Sequence, residues 1–222
     1  MTIIFLIYAA AIAFGVRTLI WRYGTPKLRL AGIPLVAIWL IGTLLLGATG
    51  KLGDPDAFPP GMMKIILPIA VLWISILVSS WGKQFAGAVP IALLTGLQAF
   101  RVPVELFIHQ LVGMKLMPEM MTWTGANFDI LTGLTAPLMA AWIVQGKAPR
   151  WALVAWNLAG MALLLNVVTR GVLTAPGPQQ MILTDVPNVA VTQFPWVAIP
   201  SIFVAVAGAL HLLSLRKLSR KI

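Results

Sequence analysis

Residues 98–110 read Gln-Ala-Phe-Arg-Val-Pro-Val-Glu-Leu-Phe-Ile-His-Gln and belong to a longer apolar stretch. Polar residues recur in it at intervals of three, four and four positions, and we call them the polar stripe: Gln98, Arg101, Glu105 and His109. Because an α-helix has about 3.6 residues per turn, this spacing puts all four side chains on one face. Ionisable groups at the centre of a bilayer cost roughly 2.5–3.5 kcal/mol each, so they are usually paired or functional. The polar stripe is therefore the first candidate site.

The composition of the chain indicates a membrane protein. Of its 222 residues, 59% are hydrophobic and 10% are charged, against about 25% charged in an average soluble domain. The mean hydropathy is +0.93. The absence of cysteine excludes disulfides, thiol catalysis and cysteine-based metal sites. The length suits a single transmembrane domain over residues 1–222.

The formal net charge of +10 does not favour a nucleic-acid partner. Its basic residues lie in short segments beside apolar runs, as the determinants of membrane topology do. The expected partner is the lipid bilayer. A membrane-protein partner and a homo-oligomer both remain open.

Apolar windows predict an all-α integral membrane protein with seven transmembrane helices. About 20 residues are needed to cross roughly 30 Å of hydrocarbon, and seven windows of suitable length are found: 2–20, 29–49, 62–81, 85–112, 123–145, 150–169 and 193–214. The fourth is too long for one straight span and contains Pro90 and Pro103, so we expect a long, kinked helix. The alternative is a short span followed by an interfacial helix that carries the polar stripe.

The distribution of lysine and arginine predicts the orientation of the bundle. One set of connections is basic: Arg22, Lys27, Arg29, Lys83, Lys147, Arg150 and the tail Arg216, Lys217, Arg220 and Lys221. The opposite set carries fewer basic residues: Lys51, Lys64, Lys115 and Arg170. The basic side is expected in the cytoplasm, which places the N-terminus outside and the C-terminus in the cytoplasm.

The longest connection is the outer loop 171–192. Loops of more than about 15 residues are uncommon in compact domains and are more often functional. This loop contains three consecutive apolar residues, Met181, Ile182 and Leu183. We expect them to pack the loop against the bundle as a lid above Arg101 and Asn166.

Neighbouring spans supply further polar residues near the polar stripe. The fifth span opens with Asn127 and Asp129, and the sixth ends with Asn166 and Arg170. Helix length places these residues at one depth with the stripe, in the outer half of the membrane. Three interpretations remain open: pairing between helices, as in Arg101 with Asp129 or Glu105 with Arg170; a ligand, ion or catalytic site; and simple exposure to headgroups.

A metal site receives weak support. Glu105 and His109 are four residues apart, and Asp129 is expected nearby, which gives three potential ligands. The second histidine, His211, is expected at the opposite end of the membrane, about 27 Å below Gln193. No cofactor and no complete catalytic set can be assigned.

Three classes of function follow. The first is binding or transport of a small solute, an ion or a proton in the polar pocket. The second is a non-catalytic accessory subunit of a membrane complex. The third is an enzyme acting on a lipid or a quinone, with Glu105 or His109 as the acid–base group.

Three segments resemble a group of bacterial multi-spanning inner-membrane proteins that have no assigned activity. They are RVPVELFIHQL (101–111), NFDILTGLTAP (127–137) and PNVAVTQFPWVAIP (187–200). The resemblance covers roughly the second half of the chain. It implies a prokaryotic protein of the inner membrane and assigns no residue a role.

Overall fold

A computed structural model of the protein describes residues 1–54 and 56–219, and the regular secondary structure of these residues is helical, with no strand. Arg220 and Lys221 of the basic tail lie outside the described residues. The α-helices are α1 (Thr2–Tyr23), α2 (Pro26–Ala48), α3 (Met63–Val78), α4 (Ser80–Ala88), α5 (Ile91–Gly96), α6 (Arg101–Gly113), α7 (Ile130–Val144), α8 (Arg150–Thr174) and α9 (Ala205–Leu218). Short 3-10 turns cover Leu97–Phe100, Glu119–Met121 and Ala190–Thr192, and a π-helix covers Ile199–Val204.

The described residues contain five or six candidate membrane spans. Five are long and apolar enough by themselves: Thr2–Tyr23, Pro26–Ala48, Ile91–Gly113, Arg150–Thr174 and Ile199–Leu218. The pair α3–α4 makes a sixth if its two helices, bent by 75°, count as one span. The apolar α7 has 15 residues and is about 22 Å long, short of a hydrocarbon core of roughly 30 Å. These helices indicate a protein embedded in a membrane.

The bend between α3 and α4 lies at Ser79. Its backbone is extended, and its hydroxyl accepts a hydrogen bond from the Gly82 amide at 3.1 Å, which starts a new helix. The predicted third span, 62–81, runs past this bend, and the predicted fourth span, from residue 85, begins inside α4. The observed fourth span begins at Ile91, after Pro90, and includes a 3-10 turn just before Arg101.

The last span, formed by the π-helix and α9, lies at the centre of the bundle. In its most apolar window 72% of the residues are buried, against 11–39% in the other four long spans. Two tryptophans hold its backbone: Trp39 Nε1 donates to the Ser201 carbonyl at 2.8 Å and Trp73 Nε1 to the Ala205 carbonyl at 3.1 Å. Gly208 permits this approach, since a Cβ there would lie 2.7 Å from Trp73 Nε1.

The outer loop is shorter than the sequence predicted, because α8 continues to Thr174. Hydrogen bonds attach it to the bundle: the buried Asn188 donates to Thr174 Oγ1 at 3.0 Å, and the Ala190 amide donates to the Leu116 carbonyl at 3.2 Å. Ala190 and Val191 of the loop also pack into the apolar core. Met181 and Leu183 are 80% and 86% exposed. The prediction that the apolar triplet packs the loop down is therefore wrong for these two side chains.

Candidate functional site

A buried ion pair joins α6 to the start of α7. Arg101 is the first residue of α6, and Asp129 directly precedes α7. Arg101 Nε donates to Asp129 Oδ2 at 2.7 Å, and Arg101 Nη2 donates to Asp129 Oδ1. The helices approach closely because Gly133 faces Val102, where a Cβ would lie 2.8 Å from Val102 Cγ2. This is one of the two interhelical pairs that the sequence analysis considered.

His211 extends this pair on the side of the last span. Its Nε2 lies 3.0 Å from Arg101 Nη1, and its Nδ1 lies 3.0 Å from Asn157 Oδ1. A guanidinium can only donate, so Nε2 accepts and Nδ1 carries the proton that is donated to Asn157. Asn157 in turn donates to the Leu153 carbonyl at 2.8 Å. Both nitrogens of His211 are therefore engaged.

The prediction that His211 lies at the opposite end of the membrane is wrong. His211 contacts Arg101, so the two residues lie at the same level of the bundle. The last span begins at Ile199 rather than at Gln193, which leaves His211 about 18 Å from the start of its span. A signal was present in the sequence, because an asparagine and a histidine inside apolar helices are costly unless they have partners.

Glu105 is bonded on one side only. Its Oε1 accepts a hydrogen bond from Asn127 Nδ2 at 2.5 Å, and Asn127 Oδ1 accepts one from the Asp129 amide at 2.9 Å. Asn127 thus connects the two acidic residues. Glu105 is 2% exposed, and its Oε2 is buried with no hydrogen-bond partner among the described residues.

The second interhelical ion pair suggested by the sequence, Glu105 with Arg170, does not form among the described residues. Arg170 Nε donates to Asn166 Oδ1 at 3.0 Å, and Asn166 Nδ2 donates to the Ala126 carbonyl at 2.9 Å. Both side chains are half-buried and form a separate contact. Glu105 therefore has no ion-pair partner within 4.0 Å in the described part of the chain.

The two ends of the polar stripe differ in their surroundings. Gln98 is buried and donates to the Ala207 carbonyl at 3.0 Å. His109 is exposed and stacks on Trp123, with the ring centroids 4.4 Å apart. Its Nδ1 is 3.4 Å from Thr122 Oγ1. Three residues of the stripe are therefore inside the bundle, and His109 is at its surface.

The weak metal candidates are not assembled into a site. Glu105 and Asp129 are buried, whereas His109 is exposed beside Trp123. Within residues 1–54 and 56–219 no group of three or more histidine, aspartate or glutamate side chains is placed to hold a metal ion.

A cavity of about 60 Å³ lies beside these residues. Its ionisable lining residues are Arg101, Glu105 and Asp129, and apolar side chains make up nearly all of the rest. α3, α6, α8 and the π-helix contribute to the wall, and Val191, near the end of the outer loop, also lines it. The cavity is roughly four water-sized positions in volume.

The charges beside the cavity do not cancel when Glu105 is ionised. Arg101 and Asp129 form a neutral pair, and His211 accepts from Arg101 as a neutral imidazole. Glu105 then contributes an uncompensated negative charge with one free oxygen. Such a group can accept a hydrogen bond, bind a cation or hold a proton.

A family model described as "Domain of unknown function (DUF8737)" matches residues 61–219. The match includes Arg101, Glu105, Asp129 and His211 together with the wall of the cavity. No curated protein and no solved structure matches the chain. Because the model covers more than half of its length, the chain belongs to the DUF8737 family of unknown function.

Proposed function

We propose that the protein binds a small solute, an ion or a proton in the cavity beside Glu105 and carries it across the membrane. One observation carries the proposal. Of the three ionisable residues that line the cavity, Glu105 has an oxygen without a partner, whereas Asp129 accepts both of its bonds from Arg101. An unpaired polar atom in a buried site is costly, and a bound ligand or ion that pairs with it would offset this cost.

The two other classes of function receive less support. An accessory subunit that only packs against a partner has no need for a cavity with an unpaired carboxyl group. An enzyme needs a second reactive group beside Glu105. His211 is bonded at both nitrogens, and His109 is exposed and stacked on Trp123.

Access to the cavity is proposed from the side of the outer loop. Met62, Met121 and Val191 line the cavity and lie at or beside the ends of helical segments. These segment ends share the side of the bundle that the charge distribution places outside. A solute from that side would pass these three residues before it reaches Glu105.

The membrane arrangement is part of the proposal. The five long spans, the pair α3–α4 counted once and the short α7 give seven crossings. The basic residues favour an N-terminus outside and a C-terminus in the cytoplasm, and we propose the bacterial inner membrane as the location because of the resemblance given above. The lipid bilayer is then the main partner of the exposed apolar faces of α1 and α2.

Transport in proteoliposomes tests the proposal. Uptake of isotope-labelled methylammonium, urea and acetate is measured, and an entrapped pH-sensitive dye reports protons. The key variant is Gly171→Leu. Gly171 lines the cavity, and a Cβ there would meet only Met121 Cε, at 3.5 Å, so a larger side chain has room to fill the cavity.

We expect the wild type to carry at least one of these probes faster than protein-free liposomes, and Gly171→Leu to abolish the difference. Gly15→Leu is the matched control, because a Cβ on this α1 glycine meets nothing within 4 Å. Rates equal to those of protein-free liposomes for all three solutes and for protons would overturn the proposal.

A further inference from the structure

We infer that the ligand of the cavity is a small organic ammonium ion, with N–H donors at one end and a short apolar body. This inference rests on the proposed function, since it names the class of molecule that the cavity takes. Three observations support it: the free oxygen of Glu105, the neutrality of the remaining charged groups and the size of the cavity.

The unpartnered polar atom among the side chains that line the cavity is an acceptor. Within the described residues, Glu105 Oε2 is buried and has no hydrogen-bond partner. Three of the five N–H groups of the Arg101 guanidinium donate to Asp129 or to His211. A ligand that satisfies Glu105 Oε2 must therefore bring a hydrogen-bond donor, as ammonium groups do.

The charge balance favours a cation over a neutral donor. Arg101 and Asp129 cancel, and His211 accepts from Arg101 in its neutral form. An ionised Glu105 leaves one negative charge, and a monovalent ammonium ion neutralises it through a charge-assisted hydrogen bond. An anion would meet the uncompensated carboxylate instead.

The apolar part of the cavity wall determines what the rest of the ligand must be like. Apart from the three ionisable residues, it is formed almost entirely by aliphatic and aromatic side chains, such as Val104, Ile108 and Phe203. A cavity of about 60 Å³ has roughly four water-sized positions, which suits an ion of a few non-hydrogen atoms. Propylammonium has this size, this charge and these donors.

Thermal unfolding of the purified protein in lipid nanodiscs, followed by tryptophan fluorescence, tests the inference. The probes are propylammonium chloride, 1-propanol, sodium propionate and tetramethylammonium chloride. A ligand that binds the folded state raises the unfolding temperature with its concentration. We expect a saturable rise with propylammonium, and at least a tenfold lower apparent affinity for the other three.

Two variants connect the effect to the site. Glu105→Gln removes the charge. Gly171→Leu fills the cavity but keeps Glu105, so Gly171→Leu still tests whether propylammonium binds in the cavity if Glu105→Gln fails to fold. Both are expected to abolish the propylammonium shift, whereas Gly15→Leu retains it. Equal shifts with 1-propanol or propionate, an unchanged shift in Gly171→Leu, or no shift in the wild type would each overturn the inference.

The two proposals fail in distinguishable ways. Transport of urea, acetate or protons without a propylammonium shift would leave the proposed function intact and overturn the ammonium class. A propylammonium shift without transport of any probe would support the ligand class and overturn carriage across the membrane.

Discussion

Arg101 and Asp129 are a buried ion pair, so removing one partner leaves the charge of the other buried and unpaired. Arg101→Gln leaves the Asp129 carboxylate uncompensated, and Asp129→Asn does the same to the guanidinium. We expect each single change to lower the free energy of unfolding by about 3–5 kcal/mol. The double variant should recover part of this loss, with a coupling of about 0.5–3 kcal/mol.

A second double-mutant cycle, with Glu105 in place of Asp129, provides the comparison for the Arg101–Asp129 double-mutant cycle. Glu105 Oε1 is bonded to Asn127 and not to Arg101, so Glu105→Gln with Arg101→Gln should couple more weakly than the Arg101–Asp129 cycle. Unfolding in detergent, followed by tryptophan fluorescence, measures both cycles. A stronger coupling for Glu105 would show that Arg101 balances it rather than Asp129.

Gly160 is the residue that makes room for His211. A Cβ on Gly160 would lie 2.6 Å from His211 Nε2, the atom that accepts from Arg101. Gly160→Ala should displace the ring, break this bond and destabilise the protein by about 1–3 kcal/mol. The same change at Gly15, where the space is open, serves as the control. Equal unfolding temperatures of the two variants would mean that His211 can move aside without loss.

At the scale of elements, the end of α9 fixes the bend between α3 and α4. Arg216 donates to the Ile76 carbonyl, and Lys217 Nζ donates to the carbonyls of Gly87 and Val89 at 2.9 and 2.7 Å. These carbonyls belong to helix ends, where intrahelical donors are missing. Two basic residues that the sequence analysis used only for orientation therefore also cap helices.

Removal of the Lys217 ammonium group should weaken the end of α4. Lys217→Met keeps the length and apolar body of the side chain but removes the charged donor, so we expect a loss of at least about 1.5 kcal/mol. Arg17→Met is the control, because Arg17 lies in an exposed position over the Phe14 ring. The difference between the two unfolding free energies measures the effect, and a difference near zero would contradict the capping role.

The sequence predicted the elements well where hydropathy and helical spacing decide them. α1 and α2 coincide closely with the first two windows. The spacing of the polar stripe placed Arg101 and Glu105 on one face, which is buried in the structure, but it did not predict that His109 is exposed. Hydropathy did not detect the bend at Ser79, because that break depends on a side-chain cap and on contacts from α9. The contact of His211 with Arg101 was not predicted from the sequence. The depth of His211 was counted from Gln193, where the apolar window begins, whereas the last span begins at Ile199.

At the scale of the whole molecule, one end of the bundle collects several helix ends. Apolar contacts join Ile20 near the end of α1, Ile76 near the end of α3 and Leu213 near the end of α9. α1 and α9 therefore both finish at this end. The start of α1 then lies at the opposite end of the bundle from the end of α9, which agrees with the odd number of crossings in the proposed arrangement.

An odd number makes α7 decisive. The five long spans alone are odd in number, and the pair α3–α4, counted as one span, makes them six. In the proposed arrangement the pair crosses, and an odd total then needs the short α7 to cross as well. We expect reporter fusions after residues 25, 83, 148 and 222 to be cytoplasmic, in agreement with the basic residues near these positions. Fusions after residues 54, 117 and 180 should be extracytoplasmic. The pair 117 and 148 tests α7 directly: if both fusions report the same side, α7 does not cross, and the seven-span arrangement is wrong.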